Sequence, residues 1–181
     1  MESLKGKLLL ASPTLLDPNF ARTVVLVAEH SEEGAMGLVL NRPAEATIGD
    51  AAPELERLVD RDEPLYVGGP VQPTAVIVLA AFTTPEAAGL LIRDDVGFLA
   101  AQLDLAESRA ATERVRVFAG HAGWGPGQLD EELDREDWIV EEPAAGELFS
   151  SEPEELWTSV LTRKGGTFAL VARMPLDPSL N

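Results

Sequence analysis

The stretch from Arg114 to Leu129, RVRVFAGHAGWGPGQL, joins an alternating segment to a run of glycine, proline and aromatic residues. Residues Arg114 to Ala119 alternate polar with apolar or aromatic side chains, which is typical of a half-buried strand. The run from Gly120 to Leu129 is too rich in glycine and proline for an ordinary strand or helix interior, so we predict a shaped loop. Pro126 suits the first turn of a helix, because its missing N–H costs nothing there. The sequence thus predicts a strand, a glycine loop and a helix in succession.

The predicted loop allows two interpretations. A loop that leads into a helix N-terminus can present unpaired N–H groups to an anion. Alternatively, the segment is a tight connection in which Trp124 fills the core. Six acids follow the loop, and we interpret them as a solvated helix face: Asp130, Glu131, Glu132, Asp134, Glu136 and Asp137. Their charges oppose a phosphate near the loop. Their spacing does not match that of a calcium-binding loop. The loop therefore suits a neutral or protein surface better than a nucleotide.

Composition limits the classes of function. The chain has 181 residues, 45% of them hydrophobic, which is enough for one domain over residues 1–181. Its 14 Lys plus Arg against 31 Asp plus Glu give a net charge of -17, which disfavours direct nucleic-acid binding. The absence of cysteine excludes disulfides and cysteine-based zinc sites. Without a membrane-length apolar run or an export signal, we expect a cytoplasmic protein with no membrane partner.

Apolar and alternating segments predict a large, mixed sheet in a single α+β domain. The turn Ser31 to Gly34 has hairpin length and composition, so the strands on either side of it are expected to pair antiparallel. In addition to Arg114–Ala119, the predicted strands are Lys7–Ala11, Thr23–His30, Ala35–Asn41, Leu65–Val67, Ala75–Phe82, Gly89–Ile92, Trp138–Glu141 and Thr167–Ala172.

Helical segments are predicted at three further places. Thr47 to Asp60 has helical spacing, and Phe98 to Thr112 is expected to hold a strand end followed by a helix. The clearest helix lies near the C-terminus, where Ser151 and Glu154 match a capping box and Gly165 can end the helix.

Five segments together resemble one bacterial family: Asp17–Val25, Gly34–Pro43, Gly68–Val71, Gly120–Leu129 and Asp177–Asn181. They occur in the order found in the YqgE/AlgH family, also called UPF0301, and the resemblance covers essentially the whole chain. It implies a compact α+β domain built on a large, mainly antiparallel sheet or partial barrel with a few flanking helices. It also implies a cytosolic protein. Family members are commonly labelled transcriptional regulators, but the family supplies no established catalytic residue.

One position departs from the family pattern. His121 stands where the family usually has tyrosine, so a mechanism that required an imidazole there would be particular to this chain.

Two groups of residues are candidates for binding. The first is expected at the ends of the predicted hairpin and comprises Asp17, Arg22, His30, Asn41 and Arg42. If Arg22 and Arg42 converge, their planar donors can hold a carboxylate or phosphate. The alternative is that each pairs with a local acid, such as Asp17 or Asp50. The second group lies in the glycine segment and comprises His121, Gly123, Trp124, Gly125 and Gln128.

The sequence contains no recognisable catalytic, cofactor or metal motif. Its two histidines, His30 and His121, are not spaced as a metal pair, and no serine occupies a nucleophile elbow. We therefore predict no cofactor and favour a non-enzymatic regulatory or protein-binding module that acts on transcription only indirectly. The alternative is an enzyme or small-anion binder with a pocket near Arg22, Arg42 and a histidine. Direct DNA binding is disfavoured by charge and by the lack of a helix-turn-helix signature.

Overall fold

The fold is described from a computed structural model over residues 2–102 and 104–175. The closing segment Asp177–Asn181, which carried part of the family resemblance, lies outside the described residues. The strands are β1 (Leu8–Ala11), β2 (Val24–Ser31), β3 (Gly34–Val39), β4 (Pro43–Thr47), β5 (Pro64–Val67), β6 (Val71–Phe82), β7 (Ala88–Arg93), β8 (Val96–Leu99), β9 (Thr112–Trp124) and β10 (Trp138–Glu141). The helices are α1 (Ile48–Ala51), α2 (Leu105–Ala110), α3 (Gln128–Asp134), α4 (Leu156–Lys164) and α5 (Thr167–Val171).

Most strands form one curled antiparallel sheet in the order β10-β1-β2-β3-β9-β6-β8-β7. β4 pairs with β5, and β5 runs parallel to β9, so the sheet is mixed and mainly antiparallel as predicted. The predicted hairpin is also confirmed, since Ser31 pairs with Gly34 and Val25 pairs with Val39. The result is a half-barrel with a few helices on its surface.

The sheet separates two hydrophobic clusters. Successive side chains of a strand point to opposite faces. Accordingly, Leu8 and Leu10 of β1 enter the first cluster, whereas Leu9 and Ala11 enter the second. Helix α4 covers the first cluster through four buried side chains: Leu156, Trp157, Val160 and Leu161. Both faces of β1 are therefore buried.

β9 changes which cluster its side chains enter near Gly120. Phe118 packs in the first cluster, but Ala122, four residues later, packs in the second. An uninterrupted strand would place both on one face. Gly120 lies between them with a φ of 73°, a left-handed value that glycine adopts without strain. The loop predicted from Gly120 to Leu129 is wrong over Gly120–Trp124, which belongs to β9, because glycine here lets a strand shift its alternation instead of ending it.

The backbone of Gly68 and Gly69 approaches β9 at the same place. Gly68 N–H donates to the Ala119 carbonyl at 2.9 Å. A Cβ on Gly69 would lie 2.2 Å from the carbonyl carbon of His121, which no side chain can occupy. The two glycine segments of the family pattern thus serve a close backbone contact.

The predicted helical segments do contain helices, but the lengths and the caps of these helices differ from the predictions. Thr47–Asp60 contains only the short α1 and a 3₁₀ turn at Pro53–Leu55. The capping box at Ser151 and Glu154 is not formed, because a 3₁₀ turn at Pro153–Glu155 precedes α4 and no side chain caps it. Gly165 does end α4, and its N–H donates to the Leu161 carbonyl at 3.2 Å. Pro126 precedes α3 rather than entering its first turn.

The predicted last strand was wrong. Thr167–Val171 forms helix α5, which follows two glycines with positive φ and packs against the first cluster through Phe168 and Val171. In the described part of the chain, no helix is long and apolar enough to span a bilayer.

Candidate functional site

The loop from Asp17 to Thr23 is held by the residues that follow β3. Arg42 donates from Nη1 to the Asn19 carbonyl at 2.8 Å and from Nη2 to the Ala21 carbonyl at 3.0 Å. Burial is the larger influence on the pKa of Arg42 and lowers it, while the charge of Asp17 acts in the opposite direction. Arg42 is thus a clamp on the loop backbone.

Asn41 ties the same loop to β2. Its side-chain oxygen accepts from Val24 N–H at 2.9 Å, and its amide nitrogen donates to the Arg22 carbonyl at 2.9 Å. An asparagine that both accepts and donates in this way replaces the main-chain partner that a strand would supply. Asn41 therefore has a structural role at this position, and its predicted role in binding stays a prediction.

The Arg22 side chain points away from the Asp17–Thr23 loop, toward Trp157 and Met174. Its guanidinium carbon lies 4.7 Å from the centre of the Trp157 ring, and Nη2 donates to the Met174 carbonyl. Arg22 and Arg42 therefore contact different carbonyl groups instead of sharing an anion. Among the described residues, neither arginine forms an ion pair with Asp17 or Asp50, which was the alternative: Arg42 bonds to the loop carbonyls of Asn19 and Ala21, and Arg22 bonds to the carbonyl of Met174.

His30 lies at the far end of the hairpin from the two arginines, as its pairing with Ala35 requires. Its side chain is only 2% exposed. Nδ1 accepts from Leu4 N–H at 3.1 Å, and Nε2 lies 3.9 Å from Asp130 Oδ2. His30 thus anchors the N-terminal segment and does not join Arg22 and Arg42 in one pocket.

Glu132 organises the glycine segment, and sequence reasoning missed it. Its Oε2 accepts from the indole N–H of Trp124 at 2.9 Å and from that of Trp138 at 2.8 Å. Its Oε1 accepts from the Gln128 side chain at 2.9 Å, and Gln128 in turn accepts from Gly125 N–H at 3.0 Å. We call Glu132 with these partners the Glu132 hub. In the sequence, the one feature that distinguishes Glu132 from the neighbouring acids is its position one helical turn after Gln128.

Aromatic stacking joins the hub to the Asp17–Thr23 loop. The Phe20 ring centre lies 6.4 Å from that of Trp124 and 5.7 Å from that of Trp138. Trp124 is 7% exposed and belongs to the second hydrophobic cluster. The interpretation that Trp124 fills the core is therefore confirmed, and two family segments meet around it.

His121 and Gly123 lie apart from Trp124 because β9 alternates between its faces. His121 is half-buried, pairs with Val71, and its Nδ1 lies 3.0 Å from the Ala122 carbonyl. A Cβ built on Gly123 would lie 3.4 Å from Val71 Cγ2 and 3.8 Å from His121 Cε1. The ten candidate residues thus divide among several environments.

An exposed apolar surface lies on β5, β9 and β6. Val67 and Val76 each pair with Ala119 from opposite sides, so the three side chains share one face of the sheet. Val67 is 45% exposed and Val76 is 48% exposed. We call Val67, Ala119 and Val76 the valine surface. It adjoins the clamp, because Val67 N–H donates to the Arg42 carbonyl at 2.8 Å.

Metal binding finds no support among residues 2–102 and 104–175. No three histidine or carboxylate side chains in that part of the chain are arranged to hold an ion.

Comparisons with known proteins agree in their result. A family model described as AlgH-like, DUF179, matches residues 8–169. A UPF0301 protein of Streptomyces coelicolor is 41% identical over 187 residues, which cover 100% of this chain and 97% of that relative. A UPF0301 protein of Rhodococcus opacus is 39% identical over 181 residues, which cover 97% of this chain and 90% of the relative.

Solved structures show the same architecture. The crystal structure of a Corynebacterium diphtheriae protein matches with a TM-score of 0.87 and 26% identity, covering 96% of this chain and 94% of that one. The solution structure of the AlgH protein from Pseudomonas aeruginosa matches with a TM-score of 0.70 and 33% identity, covering 96% and 95%.

Proposed function

The chain belongs to the AlgH-like, or UPF0301, family, and we propose that it is a non-enzymatic protein-binding module whose recognition surface is the valine surface. The observation that carries this proposal is the exposure of Val67 and Val76 beside Ala119. Apolar side chains that adjoin one another on a sheet gain free energy when a partner removes them from water.

The polar candidates support a binding module more than an enzyme. Arg22, Asn41 and Arg42 each bond to main-chain groups, and His30 is turned toward Leu4 and Asp130. Asn41 and Arg42 hold the Asp17–Thr23 loop, and the Arg42 carbonyl accepts from Val67 N–H of the valine surface. They give that surface a fixed shape, which lowers the entropy cost of binding.

The charge of the chain limits the kinds of partner that can bind it. A net charge of -17 repels both nucleic acid and a second copy of the chain. We therefore propose a different protein that presents an apolar patch edged by lysine and arginine. Any effect on transcription passes through this partner, and the site of action is the cytoplasm.

A crosslinking experiment tests the proposal. The chain contains no cysteine, so Val76→Cys creates a single thiol that can carry a photo-crosslinker. Leu91→Cys is the matched control, because Leu91 is 39% exposed on β7, which β8 separates from β6. We expect native lysate to yield one basic protein crosslinked to position 76 and absent from position 91.

Binding measurements with the purified partner and the purified chain then test whether the crosslink reports a specific interaction. The identified protein should bind the unmodified chain, and Val67→Asp should weaken that binding while Leu91→Asp should not. Equal crosslinking from positions 76 and 91 would contradict the proposal. So would a crosslinked homodimer, or binding to duplex DNA that falls steeply with salt.

A further inference from the structure

A cleft lies on the other face of β9 from the valine surface. Arg116 and Ala119 are three residues apart in a part of β9 that alternates regularly, so their side chains point to opposite faces. The cleft has a volume of about 640 Å³ and lies between β5, β9 and the segment that precedes α4. Its size is within the range of sites for small molecules.

Tyr66 and Arg116 form its inner wall. Tyr66 is 3% exposed, yet it lines the cleft, and the guanidinium carbon of Arg116 lies 4.6 Å from the centre of its ring. Arg116 donates from Nη2 to the Ser150 carbonyl at 2.9 Å. Among the described residues, no carboxylate forms an ion pair with Arg116 and no hydrogen bond involves the Tyr66 hydroxyl. The hydroxyl oxygen is therefore open to the cleft, since no fully buried polar side-chain atom of these residues lacks a partner.

Both groups face the cleft rather than a closed interior, because no fully buried polar side-chain atom among the described residues lacks a hydrogen-bond partner. A guanidinium has five N–H donors, and Arg116 is half-buried with the charge of Glu63 acting on it but forming no ion pair among the described residues. Burial is the largest influence on both groups: it lowers the pKa of Arg116 and raises the pKa of Tyr66. Arg116 and Tyr66 therefore offer unused donors to a ligand oxygen.

The rest of the cleft carries the opposite charge. Four exposed carboxylates line it: Glu63, Glu152, Glu154 and Glu155. A simple anion would reach Arg116 only past these four charges and against the net charge of the chain. A simple cation would leave Arg116 without an anionic partner. A ligand with both charges satisfies both regions.

We propose that the Tyr66–Arg116 cleft binds a small zwitterion of the amino-acid type. Its carboxylate accepts from the Arg116 guanidinium and the Tyr66 hydroxyl, and its ammonium lies among the four glutamates. This site is independent of the valine surface and of the protein partner proposed for it.

The single tyrosine of the chain makes the cleft directly observable. With ¹³C-labelled tyrosine, the ring signals come from Tyr66 alone. The probe is 6-aminohexanoate, and the matched controls are hexanoate, which lacks the ammonium, and hexylamine, which lacks the carboxylate. We expect saturable shifts of the Tyr66 signals with 6-aminohexanoate, and at least about tenfold weaker binding of each control, the loss that one charge-assisted contact causes.

Variants separate binding from folding. Arg116→Gln should weaken 6-aminohexanoate binding at least about tenfold, since it removes the cation. Tyr66→Phe keeps the buried ring, and calorimetry should show weaker binding with unchanged circular dichroism. Glu154→Gln should weaken the binding of 6-aminohexanoate but not the binding of hexanoate. The proposal is overturned if 6-aminohexanoate gives no saturable shift, if hexanoate binds equally well, or if Tyr66→Phe and Glu154→Gln both leave the affinity unchanged.

Discussion

Glu132 and Arg116 are two charged side chains set among aromatic rings, and they differ in how completely the protein uses them. Glu132 accepts from Trp124, Trp138 and Gln128. Arg116 stacks on Tyr66 and, within residues 2–102 and 104–175, makes one hydrogen bond, to the Ser150 carbonyl. A charge whose partners all come from the protein stabilises the fold, whereas a charge with unused donors beside a cleft can bind a ligand.

The difference shows that a conspicuous sequence segment and a binding site need not coincide. The glycine run drew attention to Trp124, Gly125 and Gln128, which are bonded to one another through the Glu132 hub. Arg116 stands four residues before that run in an alternating strand, where nothing in the sequence distinguishes it from Arg114.

The largest expected effect concerns Gly120, which separates the two regions along β9. Gly120 and Gly127 share a φ of 73°, but a Cβ at Gly120 would lie 2.4 Å from the Gly69 carbonyl oxygen. A Cβ at Gly127 would meet no atom of the described part of the chain within 4 Å. Gly127→Ala should cost about 1 kcal/mol of unfolding free energy, for the left-handed backbone alone. Gly120→Ala should cost at least about 3 kcal/mol, because the strand must also move. Urea unfolding measures both; equal losses would contradict a close contact at Gly120.

A smaller loss of unfolding free energy is expected when the Glu132 hub is disrupted. Glu132→Ala leaves two indole N–H groups without their acceptor, so the free energy of unfolding should fall by about 2 to 3 kcal/mol. The control Glu131→Ala removes an exposed carboxylate from the same helix and should change it by less than about 0.5 kcal/mol. If both variants unfold at the same urea concentration, Glu132 is a surface acid and the comparison with Arg116 fails.

The smallest effect is the ionisation of Tyr66, which ultraviolet absorbance follows without interference from another tyrosine. Burial raises the pKa of Tyr66 above its usual 10.0, and the charge of Arg116 lowers it in part. Arg116→Gln should therefore raise the midpoint further. A midpoint that falls in this variant would place Arg116 away from the ring.

The same shift has a definite sign for stability. Because the folded state holds the Tyr66 proton more tightly, its contribution is fully present below the pKa of the unfolded tyrosine and is lost as pH rises through the folded value. Unfolding at increasing alkaline pH should show this loss, and Tyr66→Phe should reduce it.

Much of the fold could be predicted from local pattern. β1, the β2–β3 hairpin, β5 and β10 each have a short apolar segment and a turn signal, and the structure places them within a residue or two of the prediction. Thr167–Ala172 misled because a five-residue apolar run fits a strand or a helix equally, and only the packing of Phe168 on the first cluster decides it.

The candidate site was less predictable because its key contacts join distant segments. The side chains of Asn41 and Arg42 donate to the carbonyl groups of Asn19, Ala21 and Arg22, which a sequence cannot show, and their role in binding stays a prediction. Glu132 could not be told from its acidic neighbours without knowing that Trp124 and Trp138 face the same helix. Whether the ten candidates bind a ligand stays a prediction.

The valine surface is the central claim, and partner affinity tests it most directly. The affinity of the crosslinked protein should be measured by titration calorimetry against the unmodified chain, the Val67→Asp/Val76→Asp variant and the Leu91→Asp control. We predict that the double variant binds at least about tenfold more weakly, because a desolvated apolar contact becomes charged, and that Leu91→Asp matches the unmodified chain. Unchanged affinity in a folded double variant would contradict the account.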